Sequence, residues 1–151
     1  MEMPVKFSRF SIITCGALLL AAPALAFACC PSGGQGVSVA RTGLGESQPA
    51  ALDLSADPAW QVYAFEREGV SYYQVNDLAG EVKVIIASID GTFWTLPAGK
   101  REERVSLPSK SLVLPKSARR SVVYRGAGFS LVLYASGADA VWSVEPAASG
   151  Q

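Results

Sequence analysis

An all-β domain is what this sequence predicts, and three observations predict it. From residue 60 onward, aromatic and β-branched residues gather in runs of five to eight. Those runs are separated by short clusters of Gly, Asn, Asp and Ser, the residues that turns favour. Within the clearest run, Val82, Val84 and Ile86 alternate with Glu81 and Lys83, the period of a strand with one face buried. About seven strands are expected, arranged as a small antiparallel meander, a sandwich or a barrel-like sheet.

The elements follow in order. Trp60–Glu66 is rich in aromatic and β-branched residues. Trp60, Val62 and Ala64 fall on one face of it and Tyr63 and Phe65 on the other, so either both faces are covered or one is a binding face. Glu66-Arg67-Glu68-Gly69 reads as a turn, with Val70–Val75 as the return strand. Asn76–Gly80 supplies the next turn and Glu81–Ser88 the third strand. Asp90-Gly91 is a strong hairpin signal, and Thr92–Leu96 is its partner. Four strands with short turns make a meander, closed by Pro97. The polar stretch 99–119 contains Pro108 and Pro115 as breakers, with Ser111–Leu114 as a candidate edge strand. Ser121–Arg125, Phe129–Ala135 and Ala140–Val144 complete the set, joined by Gly126-Ala127-Gly128 and Ser136-Gly137-Ala138-Asp139.

The N-terminal part reads as an address. Lys6 and Arg9 precede an uncharged stretch from Phe10 to Cys30 whose apolar heart is 12–20. Pro23 follows, and Ala26-Phe27-Ala28 gives the small-x-small pattern of a signal-peptidase site. Residues 1–28 are therefore expected to be a signal peptide, 29–58 a Gly/Ser/Ala/Pro-rich flexible tether, 59–146 the β domain and 147–151 a disordered tail. The residue after the cut is Cys29, and Leu25–Cys29 resembles a bacterial lipobox in which that cysteine is lipidated. Two addresses stay open: a free periplasmic or secreted protein, and an outer-membrane lipoprotein anchored through Cys29. Cys15 leaves with the signal. Cys29 and Cys30 are adjacent, and neighbouring Cα atoms about 3.8 Å apart are too close for an ordinary disulfide. The stability of the domain must then come from packing.

Charge and composition narrow the function. Formal net charge is zero, which argues against a general nucleic-acid binder. There is no histidine, which removes Ser-His-Asp and Cys-His chemistry and the usual zinc and iron sites. No Gly-x-Ser-x-Gly or Ser-x-x-Lys occurs, and the glycines of 33–45 lack the Lys-Ser/Thr of a phosphate loop. Asp77 and Asp90 sit in turns that explain them. No catalytic, cofactor or metal residue is expected. Eight basic residues fall between Lys100 and Arg125 against Glu102 and Glu103, while 41–99 carries eight acids against Arg41, Arg67 and Lys83. Lys100, Arg101, Arg104, Arg119 and Arg120 are thus the candidate surface for an anionic partner, an envelope component or an acidic protein; solvated loops account for the same run. The expected role is a non-enzymatic exported binding module of the cell envelope, inhibitor-like or binding an envelope component. The alternatives are a structural envelope lipoprotein tethered through Cys29 and, third, a small carboxylate-based hydrolase.

Overall fold

A computed structural model describes residues 39–147. The expected signal peptide (residues 1–28), Cys29 with residues 29–38 of the expected tether, and residues 148–151 lie outside the described residues. Eight strands form: β1 (Trp60–Arg67), β2 (Val70–Asp77), β3 (Val82–Ile89), β4 (Thr92–Leu96), β5 (Val105–Ser106), β6 (Arg119–Arg125), β7 (Phe129–Ser136) and β8 (Asp139–Pro146). The first sheet runs β1-β2-β3-β4 and the second β5-β8-β7-β6. All pairings are antiparallel except β5 with β8, which is parallel. The two sheets are separate and do not close into a barrel, and no helix occurs among the described residues.

The meander forms because its turns suit its strands. Glu68 and Gly69 adopt φ of 54° and 80°, and Asp90 and Gly91 adopt 47° and 77°. Two successive positive φ values give the turn whose twist matches a two-residue hairpin, and Asp-Gly is a preferred pair for it. At the β2–β3 turn, Asp77 Oδ1 accepts the N–H groups of Ala79 and Glu81, both at 2.9 Å. Those bonds, the Glu81 N–H first, hold the Asp77 carboxyl below the usual carboxylate range.

One hydrophobic cluster takes residues from both sheets. Val62, Val75, Val84 and Ile86 come from the first; Leu131, Leu133, Trp142 and Val144 are among those from the second. Trp142 is 1% exposed, and Trp60 meets it edge to face with centroids 5.0 Å apart. Such a contact adds about 0.5–1.5 kcal/mol beyond area burial. A bulge between Val122 and Tyr124 turns Tyr124 onto the same inner face.

Both faces of β1 are covered. Val62, Tyr63, Ala64 and Phe65 are all buried. The cover is the stretch 40–54, part of the span expected as a tether. Ala40 donates to Ala64 O and its carbonyl accepts from Glu66, each at 3.0 Å. The chain then crosses the outer face of the first sheet, where Gln74 and Asn76 are fully buried. Gln74 Oε1 accepts Gly45 N–H at 2.6 Å, and its Nε2 donates to Glu46 O and to Asn76 Oδ1, both at 2.8 Å. Asn76 Nδ2 donates to Ser47 O at 3.0 Å. Farther on, Leu54 N–H donates to Val62 O and Ala56 N–H to Val123 O, both at 2.8 Å, so this strip of chain joins the β1 and β6 edges. Ordered structure thus begins before Trp60.

The expected edge strand at Ser111–Leu114 does not form. β5 lies at one edge of the second sheet and β6 at the other, so residues 107–118 must cross its width. Leu112 N–H donates to Ser106 Oγ at 3.0 Å, on the face away from the shared core. Leu112 and Leu114 are half-buried while Val113 is 87% exposed. The crossing lies on the side of Val132 and Val141, which point away from the shared core and are nonetheless fully buried. Pro108 and Pro115 suit this irregular path, because each lacks the N–H that a ladder needs.

Candidate functional site: a cleft at one end of the shared core

Cross-strand pairing arranges the inner face of the first sheet in rows. Val62–Val75–Val84 and Ala64–Tyr73–Ile86–Thr95 give way to Glu66–Ser71–Ser88–Phe93. In the last row, two serines stand where the preceding rows carry valine, tyrosine and isoleucine. On the facing sheet the corresponding end is the β6–β7 turn, Gly126-Ala127-Gly128. Small residues on both sides leave space that larger ones would fill. The result is a cleft of about 650 Å³ lined by Ser71, Tyr73, Ser88, Phe93, Phe129 and these turns. That volume lies within the range of about 300–1,000 Å³ typical of small-molecule sites.

The floor is aromatic. Phe129 stands 4.8 Å from Tyr73 at 79° between planes, 5.0 Å from Phe93 at 62° and 5.4 Å from Tyr124 at 49°. Tyr124 is 3% exposed, and burial, then the neighbouring Tyr73, pushes its hydroxyl up to about 12. It therefore stays a neutral hydroxyl at physiological pH. Gly126 is fixed by this ring, since a Cβ there would lie 2.8 Å from the Tyr124 oxygen.

The charged residues on the lining are both acids, Asp90 and Glu145. Glu145 is already engaged: Tyr134 donates to its Oε1 and Arg120 Nη2 to its Oε2, each at 2.7 Å. Asp90 stands exposed in the β3–β4 turn. Neither acid is buried and unpaired, and among the described residues no group of three His, Cys, Asp or Glu could hold a metal ion.

The five basic residues read from the sequence divide into two groups. Lys100 and Arg101 line a separate concavity of about 480 Å³ with Lys83, Glu102 and Glu103. Lys83 there pairs with Asp77 at 3.2 Å and Glu81 at 3.4 Å, and Lys100 approaches Glu81 at 3.9 Å. Arg104 precedes β5, its carbonyl accepting the Trp142 N–H at 2.9 Å, with an exposed side chain. Arg119 and Arg120 open β6 at the opposite edge of the second sheet. Three strand spacings separate these edges, about 14 Å. Arg120 is held by Glu145 and by the Tyr134 hydroxyl, so its charge is largely answered. Near Arg119, Asp57 Oδ2 accepts the Ser121 hydroxyl, a bond that with the Ala59 N–H keeps the Asp57 carboxyl low.

Sequence reasoning did not pick out the cleft. Its signal was present in the Ser71 and Ser88 positions, but it becomes visible only when register puts both serines in one row. No protein-family model, curated protein or solved structure matches this chain.

Proposed function

We propose that this chain is an exported, non-enzymatic binding module, with a two-layer β-sandwich as its folded part and the cleft as its ligand site. The observation that carries the reading is the solvent-open cleft of about 650 Å³ over Tyr73, Phe93 and Phe129, because a concave, largely aromatic surface of this size suits a small ligand. Its polar groups are hydroxyls of serine and tyrosine, which hold a ligand without activating water. Of its acids, Glu145 is neutralised by Arg120, leaving Asp90 without the second carboxylate that acid–base hydrolysis requires. Export to the periplasm or outside the cell is supported by the charged, apolar and small-x-small pattern of residues 1–28. The partner is an envelope component or a protein. Lipidation at Cys29 would make the same domain an outer-membrane lipoprotein.

A second reading keeps an anionic partner on Lys100, Arg101 and Arg104. It is favoured by the exposure of these three side chains, but Arg119 and Arg120 belong to another edge. The test of the first reading is occlusion. Ser88 lies on the inner face of a central strand, so Ser88→Trp drives an indole into the cleft. Nile red, a neutral apolar dye, is expected to brighten with the wild type and not with Ser88→Trp of unchanged circular dichroism. Equal brightening of both proteins would remove the cleft from the proposal.

A further inference from the structure

We infer that the cleft selects a compact organic cation, a quaternary or protonated amine on a small apolar body; this rests on the cleft being the ligand site. Three observations point to charge as well as shape. First, the rings around Phe129 meet at steep angles, 79° with Tyr73 and 62° with Phe93. Rings so arranged form a corner. They offer no flat platform on which a sugar ring would stack, whereas a compact group can touch more than one ring at once. Aromatic faces carry negative quadrupole potential, and a cation set against them is attracted electrostatically.

Second, the lining carries one carboxylate that no base answers, Asp90, and no lysine or arginine; Glu145 is already bonded to Arg120 and Tyr134. Asp90 and Gly91, in the β3–β4 turn, precede Phe93 by three and two residues, and Asp90 is exposed and makes no salt bridge among the described residues. An anionic ligand would meet a like charge at this rim; a cation meets the opposite one. Third, Ser71, Ser88 and Tyr73, each of which carries a hydroxyl, line the same opening. They suit a hydroxyl or carbonyl on the same ligand.

The same chemistry reaches the site from a free small molecule or from the tip of a partner's lysine side chain, and one pair of probes examines both. Choline and 3,3-dimethylbutan-1-ol have the same shape and differ by one charge, nitrogen for carbon. Each is titrated into the 15N-labelled protein and followed by amide shifts at Ser71, Ser88 and Gly126. Choline is expected to bind about ten-fold more tightly than the alcohol, a ratio within the reach of a desolvated cation–π contact. Asp90→Asn and Phe93→Leu are each expected to lower the ratio toward one, weakening choline more than the alcohol. Equal binding of the two probes to the wild type would overturn cation selection and leave the cleft standing as an apolar site. Binding of neither, with Nile red also indifferent to Ser88→Trp, would overturn the cleft itself. A ratio unchanged by Asp90→Asn and Phe93→Leu would place the cation elsewhere and equally overturn the assignment.

Discussion

Replacing Gln74 by leucine tests whether residues 40–47 belong to the fold. Leucine is close to glutamine in volume, so packing on the outer face of the first sheet is largely kept. Three hydrogen bonds are lost: from Gly45 N–H at 2.6 Å, and to Glu46 O and Asn76 Oδ1 at 2.8 Å. Gly45 and Glu46 are exposed, so water can take over part of what they lose. Asn76 is fully buried, and its Oδ1 is left without the donor it had. A buried group left unpaired costs about 1–3 kcal/mol, and each of the two partly solvated bonds about 0.5–1 kcal/mol, for a total near 3 kcal/mol. In a domain of this size that lowers Tm by roughly 12–18 °C. Circular dichroism melts give the shift, and amide hydrogen exchange gives its location. The Gly45 amide is expected to lose protection far more than amides of β7 and β8. A Tm within about 2 °C of wild type, with Gly45 still protected, would refute the idea that Gln74 latches this segment.

Other expectations are narrower. Gly99→Ala is expected to destabilise by more than about 1 kcal/mol, because φ is +68° and a Cβ would lie 2.3 Å from Val82 O; urea unfolding measures it. Gly128→Ala, which meets nothing within 4 Å, is its control and is expected to fall within about 0.5 kcal/mol of wild type. Tyr124 ionises near 10 when unfolded and is held to about 12 when folded, so its contribution is fully present below pH 10 and is lost as pH rises toward 12. Tyr124→Phe is accordingly expected to flatten the alkaline fall in Tm; an unchanged fall would mean that other groups drive it. Asp57 and Asp77 titrate lower in the folded state, so their contribution is present above the unfolded value near 4 and fades as pH drops below it. Asp77→Asn is expected to weaken the acid dependence of stability. The Arg120–Glu145 pair is partly exposed, and a double-mutant cycle is expected to give a coupling of about 1 kcal/mol or less.

The strands of the meander were legible because they obey local rules. Asp90-Gly91 alone dictates a hairpin, and Val82–Ile86 alternates cleanly. The rows of long antiparallel pairing followed from those turns. What local rules could not show was set by distant partners. Residues 40–47 look like a tether because Gly and Ser bury little, yet their backbone groups are received by Gln74 and Asn76, some 28 to 30 residues on. Those two polar residues read as ordinary strand and turn positions. β5 has two residues and so carries no periodicity. Its existence depends on the Trp142 N–H finding Arg104 O, an event of the second sheet. Ser111–Leu114 alternates like a strand, and the alternation is genuine, but its neighbour is the face of a sheet rather than an edge.

The basic residues show the same limit. Lys100 and Arg120 are near enough in sequence to suggest one patch, and the chain between them crosses a whole sheet. The cleft is the opposite case, assembled from Ser71, Ser88 and Gly126 by register alone. Its lining residues come from strands of both sheets and from the turns between them, none of which carries a motif.

Amide shift mapping of the 15N-labelled protein with phenol, a small aromatic probe bearing one hydroxyl, tests most directly whether ligands enter at the cleft. The expected result is a compact set of saturating shifts at Ser71, Tyr73, Ser88, Phe93 and Gly126–Gly128, absent in Ser88→Trp. Saturating shifts centred instead on Lys100, Arg101 and Arg104, or the same cleft shifts in Ser88→Trp, would contradict it.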